Sequence, residues 1–181
     1  MKPHRLSLAG LFAVGSLVTM QFPAQSIQSA DGKVYFAHPP RLLNARTSNN
    51  ISKICIPINY DFSLTLPNDA GEPLGKVVIT PDDSISPVRF DLEETVAFEG
   101  TGDRKENQLG IDPVTADPKT QAITVVFNPP VAPGKTVMIR LFPRCNPDSG
   151  VYLYGVTAFP VGEPAHGQFL GYGRLTFSEF W

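Results

Sequence analysis

Gly150-Val151-Tyr152-Leu153-Tyr154-Gly155-Val156-Thr157-Ala158-Phe159-Pro160 is followed, after a Gly/Pro-rich connection, by Phe169-Leu170-Gly171-Tyr172-Gly173-Arg174-Leu175-Thr176-Phe177. Two β-strands are predicted here, joined by a connection too long for a tight hairpin. In the first, Tyr152, Tyr154, Val156 and Ala158 share one face, while Val151, Leu153 and Phe159 line the other. A strand apolar on both faces is normally interior, so the block reads as the centre of an all-β domain. Tyr172 and Arg174 share a face of the second strand, and Arg174 reads as a structural neighbour of the aromatics. Gly155, Gly171 and Gly173 suit close packing or bulges.

Working outward, Asn59 to Leu66 alternates Tyr60, Phe62, Leu64 and Leu66 against Asn59, Asp61, Ser63 and Thr65, the pattern of a half-buried strand. Ala122–Asn128 and Lys135–Phe142 alternate similarly, with Pro129–Gly134 as a stiff connector between them. Lys33–Ala37, Arg41–Arg46, Gly75–Thr80 and Thr95–Glu99 are shorter strand candidates; Pro57 makes Ile54–Ile58 an edge or a bulge. Asp91–Glu94 suits a single helical turn. Gly100 to Thr120 is polar and charged and is expected to be the longest loop. The 18 prolines and 15 glycines fall between apolar runs, as turn punctuation does in β-proteins. The expected fold is a single β-sandwich of two packed, mainly antiparallel sheets with long loops.

The first 30 residues read as a secretory signal peptide: Lys2 and Arg5, an uncharged apolar stretch from Leu6 to Met20, then Pro23 and the small residues Ala24, Ser26, Ser29 and Ala30. Residues 31–181 then form the domain, placed in a periplasmic or extracellular compartment. Fifteen cations against seventeen acids give a net charge of −2, and losing Lys2 and Arg5 leaves thirteen against seventeen, −4. Scattered, mildly acidic charge is no footprint for nucleic acid. No later segment is long and apolar enough to span a membrane as a helix. Alternation and the terminal Trp181 raise a small outer-membrane barrel as a rival, but the runs are short and broken by proline.

Little in the chain carries chemistry. Cys55 and Cys145 are the only cysteines. They are either a disulfide, as export favours, or two free thiols; a bridge would close a loop of about 90 residues and contribute about 4 kcal/mol in the chain-entropy account. With His38 and His166 they also make a Cys₂His₂ set, but at spacings that match no zinc motif. Asp103, Glu106, Asp112 and Asp117 lack calcium-loop spacing. Glu93 and Glu94 are adjacent, so in a strand they face opposite sides and cannot flank one bond. There is no nucleophile elbow, zincin helix or phosphate loop. No catalytic, metal or cofactor residue is therefore assigned. The connection Val161–Gln168, with Glu163 and His166, is the expected binding loop, alongside Gly100–Thr120. The domain reads as a non-catalytic binding or structural unit whose partner is an envelope component or a glycan. Its rivals are a small hydrolase and a carbohydrate-binding module. The module requires Tyr152, Tyr154 and Tyr172 to be exposed.

Several motifs strengthen this picture: Asp69-Ala70-Gly71-Glu72-Pro73-Leu74, Phe127-Asn128-Pro129-Pro130-Val131 with Pro133-Gly134, Asn146-Pro147 leading into Gly150-Val151-Tyr152-Leu153, Phe159-Pro160-Val161-Gly162-Glu163, and Gly171-Tyr172-Gly173-Arg174. On these the chain resembles a family of exported cyanobacterial proteins catalogued as domain of unknown function 2808. The resemblance implies export and one compact domain, but no activity and no functional residues. Cys145 and the tail Ser178-Glu179-Phe180-Trp181 look peculiar to this chain.

Overall fold

The computed structural model describes residues 27–28, 32–82, 88–101 and 104–179. Two five-stranded antiparallel sheets pack face to face. In chain order the strands are β1 (Ile27–Gln28), β2 (Val34–Tyr35), β3 (Arg41–Thr47), β4 (Tyr60–Thr65), β5 (Leu74–Pro81), β6 (Val96–Thr101), β7 (Arg104–Leu109), β8 (Thr115–Ala116), β9 (Ile123–Val131), β10 (Thr136–Leu141), β11 (Gly150–Pro160) and β12 (Gln168–Phe177). The first sheet runs β3-β4-β10-β6-β7 and the second β12-β11-β5-β9-β8, with β1-β2 a separate pair. Both large sheets keep free edges, so this is a sandwich and not a closed barrel.

Alternation along the strands puts one row of each into the interior. Tyr60, Phe62 and Leu64 of β4 meet Tyr152, Tyr154 and Val156 of β11, and Leu175 and Phe177 of β12 close one side. Tyr154 contacts both Tyr60 and Phe62 edge-on, at ring separations of 6.3 and 5.6 Å. The other row of β4 is not solvated as its polarity suggests. Asp61 and Ser63 are buried as well. Arg140 of β10 lies opposite Asp61 and grips both carboxylate oxygens through Nε and Nη2 at 2.7 Å. Asn59 Nδ2 donates to Asp61 at 2.9 Å, and Arg46 stands 3.9 Å away.

Three expectations are corrected. Gly100–Thr120 is not one loop, because β7 and β8 fall within it. β7 is the outer edge of the first sheet, a position at which polar sequences are common. Ile54–Ile58 belongs to no strand; its backbone and that of Lys53 bind the segment after β10, with Asn146 N donating to Ile54 O and Lys53 N donating to Pro147 O. Finally, the β11–β12 pair is not interior on both sides. β12 is an edge strand, and the second face of the pair is open, with Val151, Phe169 and Tyr172 exposed and Leu153 half-buried.

Candidate functional site

The open face of the second sheet is built in rows. Register places Lys76 beside Phe159, then Val78 beside Thr157 and Phe169, then Thr80 beside Gly155 and Tyr172, then Leu153 beside Arg174. Phe169 and Tyr172 are three residues apart, which in a regular strand would send them to opposite faces. A register irregularity leaves Leu170 unpaired between Phe169, opposite Thr157, and Gly171, opposite Val156. Gly171 takes φ +122°, a backbone conformation that favours glycine. Leu170 turns to the core, and Phe169 and Tyr172 both emerge on the open face.

The two rings are 58% and 59% exposed and meet edge to face, 5.2 Å apart at 72°. Gly155 is the floor beneath them. A Cβ there would lie 3.3 Å from Phe169 Cε2 and 3.6 Å from Tyr172 Cε1. Lys76 Nζ caps the Phe159 ring 4.2 Å from its centroid. Lys76 and Arg174 are the only charged residues in the five strands of this sheet; Asp82 and Asp117 follow directly on β5 and β8.

Phe169 also borders a groove. The edges β3 and β12 are tied at one end, where Ser52 N donates to Ser178 O and Ser178 N to Asn50 O, each at 2.9 Å. Gly173 permits their close approach, since a Cβ there would fall 2.7 Å from Ala45 Cβ. At the other end the edges diverge around a space of about 610 Å³ lined by Pro39, Pro40, Arg41, Leu42 and residues 166–170. Gln168 Oε1 is buried in this wall and has no hydrogen-bond partner among the described residues.

His166 lines the groove, and Glu163 does not. The connection carrying both is clamped to β2: Val34 N donates to Pro164 O at 3.0 Å and His166 N to Val34 O at 2.9 Å. The half-buried imidazole stacks on Tyr35 with centroids 4.5 Å apart, while Glu163 is exposed.

The remaining candidates lie apart from one another. Cys55 and Cys145 are bonded, with Cα atoms 4.2 Å apart. His38 Nδ1 is 3.0 Å from Asp69 O, so the structure does not gather the Cys₂His₂ set. Asp103 lies outside the described residues, as does the side chain of Glu106. Asp112 accepts from Asn128 Nδ2 at 3.0 Å, and Asp117 accepts from the backbone N–H groups of Lys119 and Thr120, which hold its carboxyl below the usual range. Glu93 and Glu94 occupy a 3-10 turn, Leu92–Glu94. Tyr152 and Tyr154 are buried, and burial pushes both phenols upward. Of the three tyrosines that a carbohydrate platform required, Tyr172 alone is exposed.

Sequence reading did not single out Phe169 as an exposed partner of Tyr172. The signal was the Leu170-Gly171 pair, whose glycine permits the bulge. It also passed over Asn146 as a structural hub. That buried side chain accepts from Tyr60 Oη at 2.9 Å and donates to Asn49 O and Ile51 O at 2.9 and 2.8 Å.

The chain belongs to the family described as "Protein of unknown function (DUF2808)", whose model matches residues 33–177. It matches no curated protein. Among solved structures it is similar to the pilus 2b backbone protein of group B streptococcus, with 10% identity, a TM-score of 0.45, and coverage of 74% of this chain and 56% of that one. The chain therefore spans little more than half the length of the pilus protein. It is also similar to the collagen-binding domain from a Staphylococcus aureus adhesin, at 9% identity and TM-score 0.39, covering 75% of this chain and 97% of that one. A third similar structure is AvmM, which catalyses macrocyclisation in alchivemycin A biosynthesis, at 10% identity and TM-score 0.37, covering 83% and 99%.

Proposed function

We propose that this family member is an exported, non-catalytic binding domain of the cell envelope that meets its partner through the open face of the second sheet. The observation that carries the reading is the exposed Phe169–Tyr172 pair. Large aromatics held in the open on a rigid strand lose little conformational entropy on binding and bury much apolar area. A fold that needed only stability would gain nothing from a bulge that turns both rings outward. Glu163 and His166 belong to this surface as its margin: His166 shapes the groove that begins at Phe169, and Glu163 stands on the adjoining turn.

Export is supported by the leader-like pattern of residues 1–30 and by the bonded Cys55–Cys145 pair, which suits an oxidising compartment. The test of the binding reading is retention of the tagged domain on isolated envelope material. Phe169→Ser with Tyr172→Ser is expected to lose retention while keeping the parent's cooperative melt, because both side chains are already in water. Undiminished retention by that folded variant rejects this surface.

A further inference from the structure

We infer that the open face of the second sheet recognises an acidic polysaccharide, a polymer of sugar rings carrying carboxylates. This deepens the binding reading above and rests on it. The argument is the order of side chains along the face: Lys76, Phe169, Tyr172 and Arg174 stand on four successive rows, a cation at each end and aromatic rings between. Rows on one face of a strand repeat every two residues, so the two cations are separated by about 20 Å along the strands. That span matches several sugars of an extended chain and not a single small anion.

Each part of the face suits such a chain. The exposed rings offer apolar faces against which the C–H face of a sugar can lie, over a floor kept flat by Gly155. Threonine hydroxyls from Thr80 and Thr157 sit in the same rows as donors and acceptors for sugar hydroxyls.

The charge is local. The whole chain is net −2, yet the strands of this sheet hold two cations and no acid, and the one acid that extends its open rows is Asp82, just past β5, whose N–H donates to Leu153 O at 2.9 Å. Arg174 pairs with no described residue, so its guanidinium is available to a carboxylate. An anionic membrane would also attract cations and aromatics. Insertion, however, calls for side chains that reach below the headgroups. Here Phe169 and Tyr172 lean on each other over Gly155.

The test is affinity electrophoresis of the disulfide-bonded protein in gels containing polygalacturonate or the neutral polymer dextran, beside sedimentation with phosphatidylglycerol vesicles. Retardation by polygalacturonate and not by dextran is expected, and it should vanish near 1 M salt, where the Debye length falls to about 3 Å. Tyr172→Ala and Arg174→Glu should each abolish it, and Lys76→Gln should weaken it. All three are checked for an unchanged melt. Equal retardation by dextran, vesicle binding without polygalacturonate binding, or full retardation of Arg174→Glu overturns the inference. Envelope retention that depends on Phe169 and Tyr172, without polygalacturonate binding, overturns the glycan assignment alone. Retention that ignores those two residues overturns the binding reading as well.

Discussion

Asp61 is only 3% exposed, so its charge is held by Arg140 and not by water. The same ion pair, led by the hydrogen bonds to Asp61, holds the Arg140 guanidinium above its ordinary pKa. Breaking a buried pair leaves the surviving charge uncompensated, and Asp61→Ala is expected to cost about 3–5 kcal/mol. Replacing both partners, Asp61→Leu with Arg140→Met, should recover most of that loss. Urea midpoints of the two variants decide between charge compensation and simple packing. Tyr60 and Tyr154 give a second residue-scale prediction. Burial, followed by the neighbouring tyrosines, raises both phenols well above their ordinary value of 10.0. Above about pH 10 the unfolded chain releases protons that the native state retains, so stability falls as pH rises; below it this contribution is constant. Phenolate absorbance from these two rings should therefore appear only with alkaline unfolding. Its appearance in the native protein near pH 10 would contradict their burial.

At the scale of the element, β11 separates two kinds of side chain that composition cannot. Val156 is fully buried, whereas Leu153 is half-buried on the open face. Val156→Asp is expected to prevent folding, while Leu153→Asp should retain a cooperative melt and disturb the open face. Equal collapse of both variants, read by near-ultraviolet circular dichroism, would place a second layer over that face. The strands β4, β5, β9, β10, β11 and β12 were legible because alternation or apolar runs mark them. β7 was hidden because Arg104–Leu109 has the composition of a loop, a polarity that is common at a sheet edge. The binding face was half legible. Tyr172 was visible as an aromatic with an uncertain side, but the side itself depends on one unpaired residue, Leu170. A bulge inverts the parity of everything beyond it, and parity is what a pattern reading assumes.

Over the whole molecule, two features tie distant parts of the chain together. The Cys55–Cys145 bond spans a sequence separation of 90, and beside it Asn146 binds Asn49, Ile51 and Tyr60. Cys55→Ser with Cys145→Ser is expected to cost up to about 4 kcal/mol through greater freedom of the unfolded chain, while the Asn146 contacts keep the native fold. A variant with an unchanged guanidinium midpoint would show that the bond adds nothing. The leader reading predicts an exported form beginning between Gln25 and Asp31, to be read by N-terminal sequencing; an exported fraction that retains Met1 refutes it. A start at Ile27 keeps β1, and a start at Asp31 removes it. The strand order has a consequence for how the molecule comes into being. β5 is complete by residue 81, yet it lies between β9 and β11, and β11 runs to residue 160. A chain made from its N-terminus onward therefore offers no stable halfway stop. Until β11 and β12 emerge the second sheet lacks two of its five strands, and the partial chain is expected to stay open to proteases. Ribosome-arrested chains ending at Asp148 should be digested readily, and chains carried beyond Phe177 on a spacer should resist.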